Sequence, residues 1–428
     1  MVARDGGRSD LSRSDEPPEG GTPARNILRL FSRTTSGAAL IREIDGLRFL
    51  ALAGVLLSHA TDYLWKYRPE SPVEGLIFET LMQAFVSGFL GVQLFFMVSG
   101  FILAVPFARA HLAQGPSHDL KSYYIRRLTR IEPPYLINLT VLFAYLVFLR
   151  GNSADALWPH WLASCGYCHN FWYGTGSSIN GVAWSLEVEV QFYIVAPLLA
   201  LIFRVPSKPL RRTILIGSML LASQLFVKPV GSNHGYYLLT EINFFLTGFL
   251  LADCYLTDWE SWKPPRDLLW DGWGLIAAGA LTMIAHLRGA DSLLVPPLLF
   301  VIGRAAFHGR LCHHILTQPA IFTIGGMCYT IYLYHYRLFA FADAAVTRLL
   351  PLPQTGLAPC FIALITLLTV AITISSGLFV VIEKPFMQRH WLSRCWAAMG
   401  FVRSPVGQSV RSVGMKSSEV IEQTAKAA

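Results

Sequence analysis

Long apolar runs, separated by short polar or basic stretches, dominate the chain. Most of these runs extend over about 17–24 residues, the length that an α-helix needs to cross the hydrocarbon core of a bilayer. We therefore predict an all-α fold, a polytopic transmembrane helix bundle of about ten helices. The predicted helices cover residues 44–63, 84–107, 132–149, 184–203, 212–229, 237–256, 271–287, 291–307, 320–342 and 358–382.

Composition points to the same class of protein and excludes a water-soluble domain. Of the 428 residues, 53% are hydrophobic and only 14% are charged, whereas soluble proteins carry about 25% charged residues. The formal net charge of +8 is explained by basic cytoplasmic loops that face anionic lipid headgroups. Membrane lipids are thus expected partners, and nucleic acid is not.

Basic residues fall in alternate loops, and this alternation predicts the orientation of the bundle. Loops rich in Arg and Lys stay on the cytoplasmic side, and with ten spans all basic stretches lie on one side. The sequence predicts a multi-pass protein of the plasma (inner) membrane with both termini in the cytoplasm. Residues 1–40 are predicted to be a disordered cytoplasmic tail, residues 41–390 the membrane domain, and residues 391–428 a second cytoplasmic tail.

The first predicted helix carries two ionisable residues in a setting where charge is costly. Arg48 and His59 are eleven residues apart, which places them within about 20° of each other around the helix and about 16 Å apart along its axis. A histidine at this depth is a natural proton acceptor. Arg48 alone is equally well explained as an interfacial side chain that extends towards the lipid headgroups.

Two polar residues on other helices are predicted at a similar depth, in the outer half of the membrane. They are Glu189 in the fourth helix and His335 in the ninth. If they converge with His59, then His59 is a base, Glu189 orients it, and His335 binds the substrate or the oxyanion. The alternative is a structural ion pair between helices. Glu187, which is closer to the interface, is expected to face water.

Arg127 and Arg130 precede the third predicted helix and share one face if this segment is helical. Guanidinium groups at this spacing suit phosphates. A basic cluster at the cytoplasmic boundary suits lipid headgroups equally well.

Cys165 and Cys168 stand in the stretch Cys-Gly-Tyr-Cys-His. Their spacing suits a metal or redox pair, but the sequence contains no second ligand pair. We predict an ordinary loop there, with or without a disulfide, and no metal site.

Several short patterns occur in a fixed order along residues 41–390. In this order they resemble the acyltransferase-3 family of membrane acyltransferases, which acylate polysaccharides, peptidoglycan, lipids and antibiotic sugars. The patterns are Asp45 to Arg48 with His59 after ten further residues, Gly91 to Phe101, Arg127 to Arg130, Trp184 to Tyr193, Tyr329 to His335, and Glu383 to Phe386.

The resemblance implies an integral membrane O-acyltransferase that moves an acyl group, most often acetyl, from acyl-CoA to a hydroxyl of an envelope glycan or glycolipid. It implies no tightly bound cofactor, with acyl-CoA as the donor substrate. The chain either completes transfer itself or passes the acyl group to a separate extracytoplasmic partner. The resemblance makes His59 and Glu189 the catalytic candidates. The candidates for binding substrate or acyl-CoA are Arg48, Arg127, Arg130, His335, Asp45, Trp184 and Tyr193.

A secondary transporter or exporter is the alternative, because buried Arg, His and Glu side chains also line transport pathways. Transporters of this kind are often built from inverted repeats with matching broken helices. Neither is apparent in the sequence, which favours the enzyme.

Overall fold

A computed structural model shows that the predicted all-α fold is correct. The structure describes residues 30–33, 40–113, 115, 119–226, 237–259, 265–288, 293–349, 353 and 355–387. Within these residues there is no strand, and the one β-bridge is isolated, between Asp267 and Gly309. The predicted tails lie outside the described residues, apart from 30–33 and 40.

The described helices follow one another with short connections. They are α1 (Arg42–Leu64), α2 (Pro72–Val86), α3 (Gly91–Leu112), α4 (Leu120–Ala144), α5 (Ala154–Cys165), α6 (His169–Tyr173), α7 (Trp184–Leu199), α8 (Lys208–Leu225), α9 (Leu238–Cys254), α10 (Leu268–Arg288), α11 (Val295–His308), α12 (Arg310–Leu316), α13 (Pro319–Gly326), α14 (Cys328–Leu349), α15 (Leu357–Leu378) and α16 (Lys384–Phe386). Single π-helical turns follow α4, α9 and α15, at Tyr145–Leu149, Tyr255–Trp259 and Phe379–Glu383.

Among the described residues, seven helical segments are long and apolar enough to cross a membrane. They correspond to the first, second, third, fourth, sixth, seventh and tenth predicted helices. Their bounds are Arg42–Tyr67, Pro72–Leu112, Leu120–Leu149, Gly181–Arg204, Leu238–Trp259, Leu268–Leu287 and Leu357–Phe386.

The other three predicted helices exist, but their length or composition does not mark them as spans, so the count of ten is not confirmed. The helix α11 has only 14 residues. The helix α8 contains three charged residues among its 18 residues, and α14 contains three among its 22. The ninth predicted helix, 320–342, is also divided, because α13 ends at Gly326 and α14 starts at Cys328.

Small residues and stacked aromatic rings hold the centre of the bundle together. A side chain at Gly100 would overlap the Phe245 carbonyl, and one at Gly248 would overlap the Met97 carbonyl. Glycine at both positions therefore lets α3 and α9 approach at backbone distance. Next to this contact the Phe245 ring stacks on Phe192 with centroids 3.9 Å apart.

The helices that carry the candidate site, α1, α13 and α14, also meet closely. A side chain at Gly325 would overlap the backbone carbonyl of Asp45. This contact sets the end of α13, immediately before α14, against the first turn of α1. As a result, His59 on α1 and His335 on α14 lie along neighbouring helices.

Candidate active site

His59 and His335 form a direct hydrogen bond between their rings. The Nδ1 atom of His59 is 2.7 Å from Nε2 of His335, and the ring centroids are 5.0 Å apart at an interplanar angle of 22°. His335 is fully buried, whereas His59 keeps part of its surface exposed. The two histidines predicted at similar depth are therefore brought together.

A backbone carbonyl determines which nitrogen of each ring carries a proton. The Nδ1 atom of His335 is 2.7 Å from the Tyr332 carbonyl oxygen, so Nδ1 of His335 must donate. In a neutral ring Nε2 of His335 then accepts, and Nδ1 of His59 donates to it. Among the four ring nitrogens of these two histidines, Nε2 of His59 keeps a free lone pair, so it is the atom that can accept a proton.

The Tyr332 side chain connects this turn of α14 to the start of α7 and the residues just before it. Its hydroxyl donates to the Val182 carbonyl at 3.0 Å and shares a 2.7 Å hydrogen bond with the Ser185 hydroxyl. Asn180 also donates to the Leu333 carbonyl at 3.1 Å. The carbonyl that orients His335 is thus held from two sides.

A second cluster lies at the start of α1 and contains Arg48. The buried Asp45 carboxylate accepts from Arg48 and from Arg33, each at 3.0 Å. Asp45, predicted to bind substrate, is 1% exposed, whereas the two arginines are 13–15% exposed. Its position therefore suits orienting the arginines. Arg33 lies in the tail predicted to be disordered, so its contact was not foreseen.

Arg127 and Arg130 lie on α4, so the segment that carries them is helical as the shared face required. Arg127 donates to the Tyr123 carbonyl at 3.1 Å and stacks on the Tyr123 ring at 3.8 Å. Arg130 is 37% exposed and 3.9 Å from the buried Glu383 carboxylate. Each guanidinium thus has a different partner and keeps donors for a further anion.

The predicted orienting residue, Glu189, makes its hydrogen bonds elsewhere. Its Oε1 atom accepts from Ser99 and from Tyr193, both at 2.6 Å, and its charge acts on Arg48. The Nδ1 atom of His59 bonds instead to His335. The carboxylate that shares a helix face with His59 is Asp62, three residues further along α1. A catalytic role for Glu189 stays a prediction.

Trp184 and Glu187, near the start of α7, both pack inside the protein. Trp184 is half-buried against the Phe96 ring at 6.2 Å, and its carbonyl accepts from Asn170 at 3.0 Å. Glu187 is fully buried and accepts from the Asn170 amide at 2.8 Å, so the prediction that it faces water is wrong. It anchors α6 to α7.

Cys165 and Cys168 are both free thiols. Burial, together with the nearby Glu132 carboxylate, raises the pKa of the Cys165 thiol to about 11, so it stays protonated and weakly nucleophilic at neutral pH. Among the described residues, no group of three or more His, Cys, Asp or Glu side chains is arranged to hold a metal ion.

Comparison with known proteins identifies the family. The model of an acyltransferase domain, the acyltransferase-3 family, matches residues 41–377. The chain belongs to the acyltransferase-3 family. This agrees with the family predicted from the ordered patterns and supports an acyltransferase of groups other than aminoacyl groups.

Curated relatives are distant and longer than this chain. One is O-acetyltransferase OatA of Staphylococcus aureus strain NCTC 8325, 22% identical over 398 residues, which cover 86% of this chain and 60% of the relative. Another, from strain COL, carries a provisional O-acetyltransferase name and is 24% identical over 336 residues, which cover 71% of this chain and 51% of the relative. The chain thus spans about half the length of such relatives. No solved structure matches.

Sequence reasoning missed several residues of the site. Asp62 lies outside the patterns that were singled out, and Ser99 and Thr330 lie inside patterns without a role being assigned. Thr330 donates to the Glu383 carboxylate at 2.5 Å. The one available signal was the terminal Glu383 pattern, because a carboxylate at the end of an apolar run needs a partner.

Proposed function

We propose that the chain is an integral membrane O-acyltransferase that moves an acyl group, with acetyl as the first candidate, from acyl-CoA to a hydroxyl of an envelope glycan or glycolipid. The observation that carries this proposal is the hydrogen-bond series from the Tyr332 carbonyl through His335 to His59. It leaves a proton-accepting nitrogen on a partly exposed histidine inside a membrane protein.

The chemistry needs only a base, a hydroxyl and a thioester. Nε2 of His59 takes the proton of the acceptor hydroxyl while the oxygen attacks the thioester carbonyl. The carbon–sulfur bond then breaks, the new ester bond remains, and the departing CoA thiolate takes the proton from His59. His335 holds the tautomer of His59 throughout, a role that an acidic residue fills in other triads.

The donor is placed at the arginine end of α1. Arg48, Arg127 and Arg130 present guanidinium groups that match the phosphates of CoA. Asp45 offsets only part of this positive charge. If the protein crosses the plasma membrane ten times with both termini in the cytoplasm, this end of α1 faces the cytoplasm, where acyl-CoA is made. His59 lies about 16 Å further along the same helix face, a distance that the pantetheine arm has to cover.

We place the acceptor hydroxyl directly at His59, and a separate extracytoplasmic partner stays a prediction. Glu189, Tyr193 and Trp184 are proposed to line the route between the arginines and His59. All three lie on α7, and the Tyr193 hydroxyl donates to the Glu189 carboxylate at 2.6 Å.

The test compares envelope glycans and glycolipids, by mass spectrometry, from cells that carry the chain, cells that lack it, and cells with His59→Ala. A mass shift of one acyl unit should require the chain and His59. The matched control is His286→Ala, because His286 lies on α10 and is exposed. Free CoA release by purified protein, dependent on an added acceptor, should follow the same pattern. Proton-driven flux of a solute without CoA release would overturn the proposal in favour of transport.

A further inference from the structure

The far side of the histidine pair, away from Arg48, is lined by aromatic rings and a carboxylate. The Tyr336 ring meets the His59 ring edge-on at 5.4 Å and 79°. Tyr63 lies one turn beyond His59 on α1, and its ring is 6.3 Å from that of Tyr336. Asp62 lies three residues after His59 on α1, so the two side chains share one face of the helix, and the Asp62 carboxylate hydrogen-bonds with Tyr336.

These side chains are accessible and pack on a buried phenylalanine. Tyr336 is 36% exposed, Asp62 is exposed, and Tyr63 is half-buried. Beneath them Phe339 is fully buried, with its ring 6.3 Å from Tyr63 and 5.7 Å from the ring of His335. Phe339 thus supports both the histidine pair and the surface beside it.

The chemistry of this surface selects one class of acceptor. A pyranose ring has an apolar C–H face that packs on tyrosine rings and a rim of hydroxyls that a carboxylate and phenol groups can orient. A lipid chain would gain from the rings but would have to cover the charge of Asp62, which is costly without a partner. Binding sites combine such apolar walls with a few placed polar groups.

Resting on the acyl transfer proposed above, we propose that Tyr63, Tyr336 and Asp62 form a sugar-ring subsite that presents one acceptor hydroxyl to Nε2 of His59. Donor and acceptor then approach His59 from opposite ends of α1. The acceptor is selected at the tyrosine end and the donor at the arginine end. The two substrates therefore respond to different substitutions.

The experiment uses the full chain in lipid nanodiscs with radiolabelled acetyl-CoA and two probe acceptors of equal chain length. These are octyl β-D-glucopyranoside below its micelle concentration and 1-octanol. Wild type should acylate the glucoside with a kcat/KM about tenfold or more above that for octanol, because only the glucoside engages polar groups of the site. Equal use of both probes would overturn the subsite while leaving the acyltransferase proposal intact. No CoA release with either probe would contradict the acyltransferase itself.

Variants locate the subsite. Tyr336→Ala, Tyr63→Ala and Asp62→Asn should each raise the KM for the glucoside about fivefold or more, with the KM for acetyl-CoA changed less than about twofold. Tyr336→Phe and Tyr63→Phe retain the ring, so they should lose less than the alanine variants. Phe341→Ala is the matched control, since Phe341 is on the same helix and 65% exposed. Size-exclusion profiles identify any variant that misfolds, and the phenylalanine variants then decide. Unchanged glucoside KM values in the folded variants would overturn the proposal.

Discussion

Within the part of the chain that the structure describes, two histidine pairs have nearly the same hydrogen bonds but different surroundings. In the first, Nδ1 of His59 is 2.7 Å from Nε2 of His335. In the second, Nδ1 of His160 on α5 is 2.9 Å from Nε2 of His169 on α6. In each pair the second ring is fully buried and its Nδ1 atom faces a backbone carbonyl, that of Tyr332 at 2.7 Å or Thr175 at 3.1 Å.

The surroundings separate the two pairs. Tyr173 covers both rings of the second pair, with centroids 4.3 Å from His160 and 4.7 Å from His169. That pair joins two short helices and therefore suits a structural role. The first pair joins two long helices, meets Tyr336 only edge-on, and shares the α1 face that leads to Arg48. His59 and His160 are both partly exposed, so a histidine tautomer held by a carbonyl does not by itself make an active site. What separates the two pairs is the Tyr173 ring against the second pair and the charged groups on α1 near the first.

The largest expected effect tests this difference directly. His59→Ala removes the proposed base, and acyl transfer should fall by about 10³-fold or more. His160→Ala removes the equivalent ring of the covered pair and should leave the rate within about twofold. The measurement is acetyl transfer from radiolabelled acetyl-CoA in nanodiscs. A comparable loss from both substitutions, in folded protein, would show that the comparison is mistaken.

The second effect concerns the buried partner of each pair. His335→Phe retains a ring but removes the acceptor for Nδ1 of His59, so kcat should fall by about 10²-fold while the KM for acetyl-CoA stays nearly constant. His169→Phe should leave kcat unchanged. The KM values for acetyl-CoA and for the acceptor, together with the pH profile of kcat, distinguish a loss of His59 orientation from general damage to the protein. A raised KM with normal kcat would place His335 in substrate binding, one of the roles that the sequence suggested.

A third, smaller effect separates the two ends of α1. Arg48→Lys keeps the charge but loses the guanidinium fork that Asp45 orients, so the KM for acetyl-CoA should rise about tenfold with little change in kcat. Arg150→Lys, at an exposed position, serves as the control. If Arg48→Lys altered only the acceptor KM, the donor would have to be placed elsewhere.

The smallest effect is a pH dependence of the covered pair. Burial lowers the pKa of His169 below its usual 6.5, against the opposing hydrogen bond to Thr175. The unfolded chain therefore takes up this proton at higher pH than the folded chain, so local stability is complete above about pH 6.5 and declines as the pH falls below it.

Hydrogen exchange of residues 154–173 measures this decline. Exchange there should be faster at pH 5.5 than at pH 7.5, after correction for the intrinsic rate, and His169→Phe should remove most of the difference. Residues 120–144 of α4 provide the internal reference. Exchange that slows on acidification would contradict the sign of the prediction.

The sequence by itself determined that the chain is helical, where most long helices lie, and which family it belongs to. Apolar run length and the cost of charge within a membrane are local properties that can be read from consecutive residues. The same reasoning located Arg48, His59 and His335. It could not count the spans, because α8 and α14 mix apolar and charged residues and α11 is short.

Only the tertiary structure decided which groups meet. The His59–His335 bond joins residues 276 positions apart, and the carbonyl that orients His335 is a backbone atom that no side-chain pattern marks. Glu189 was predicted to orient His59 on grounds of similar depth and of the family resemblance, and helix packing turns its carboxylate towards Ser99 and Tyr193. Depth along a helix follows from sequence position, whereas the direction in which a side chain points across the bundle depends on how neighbouring helices pack.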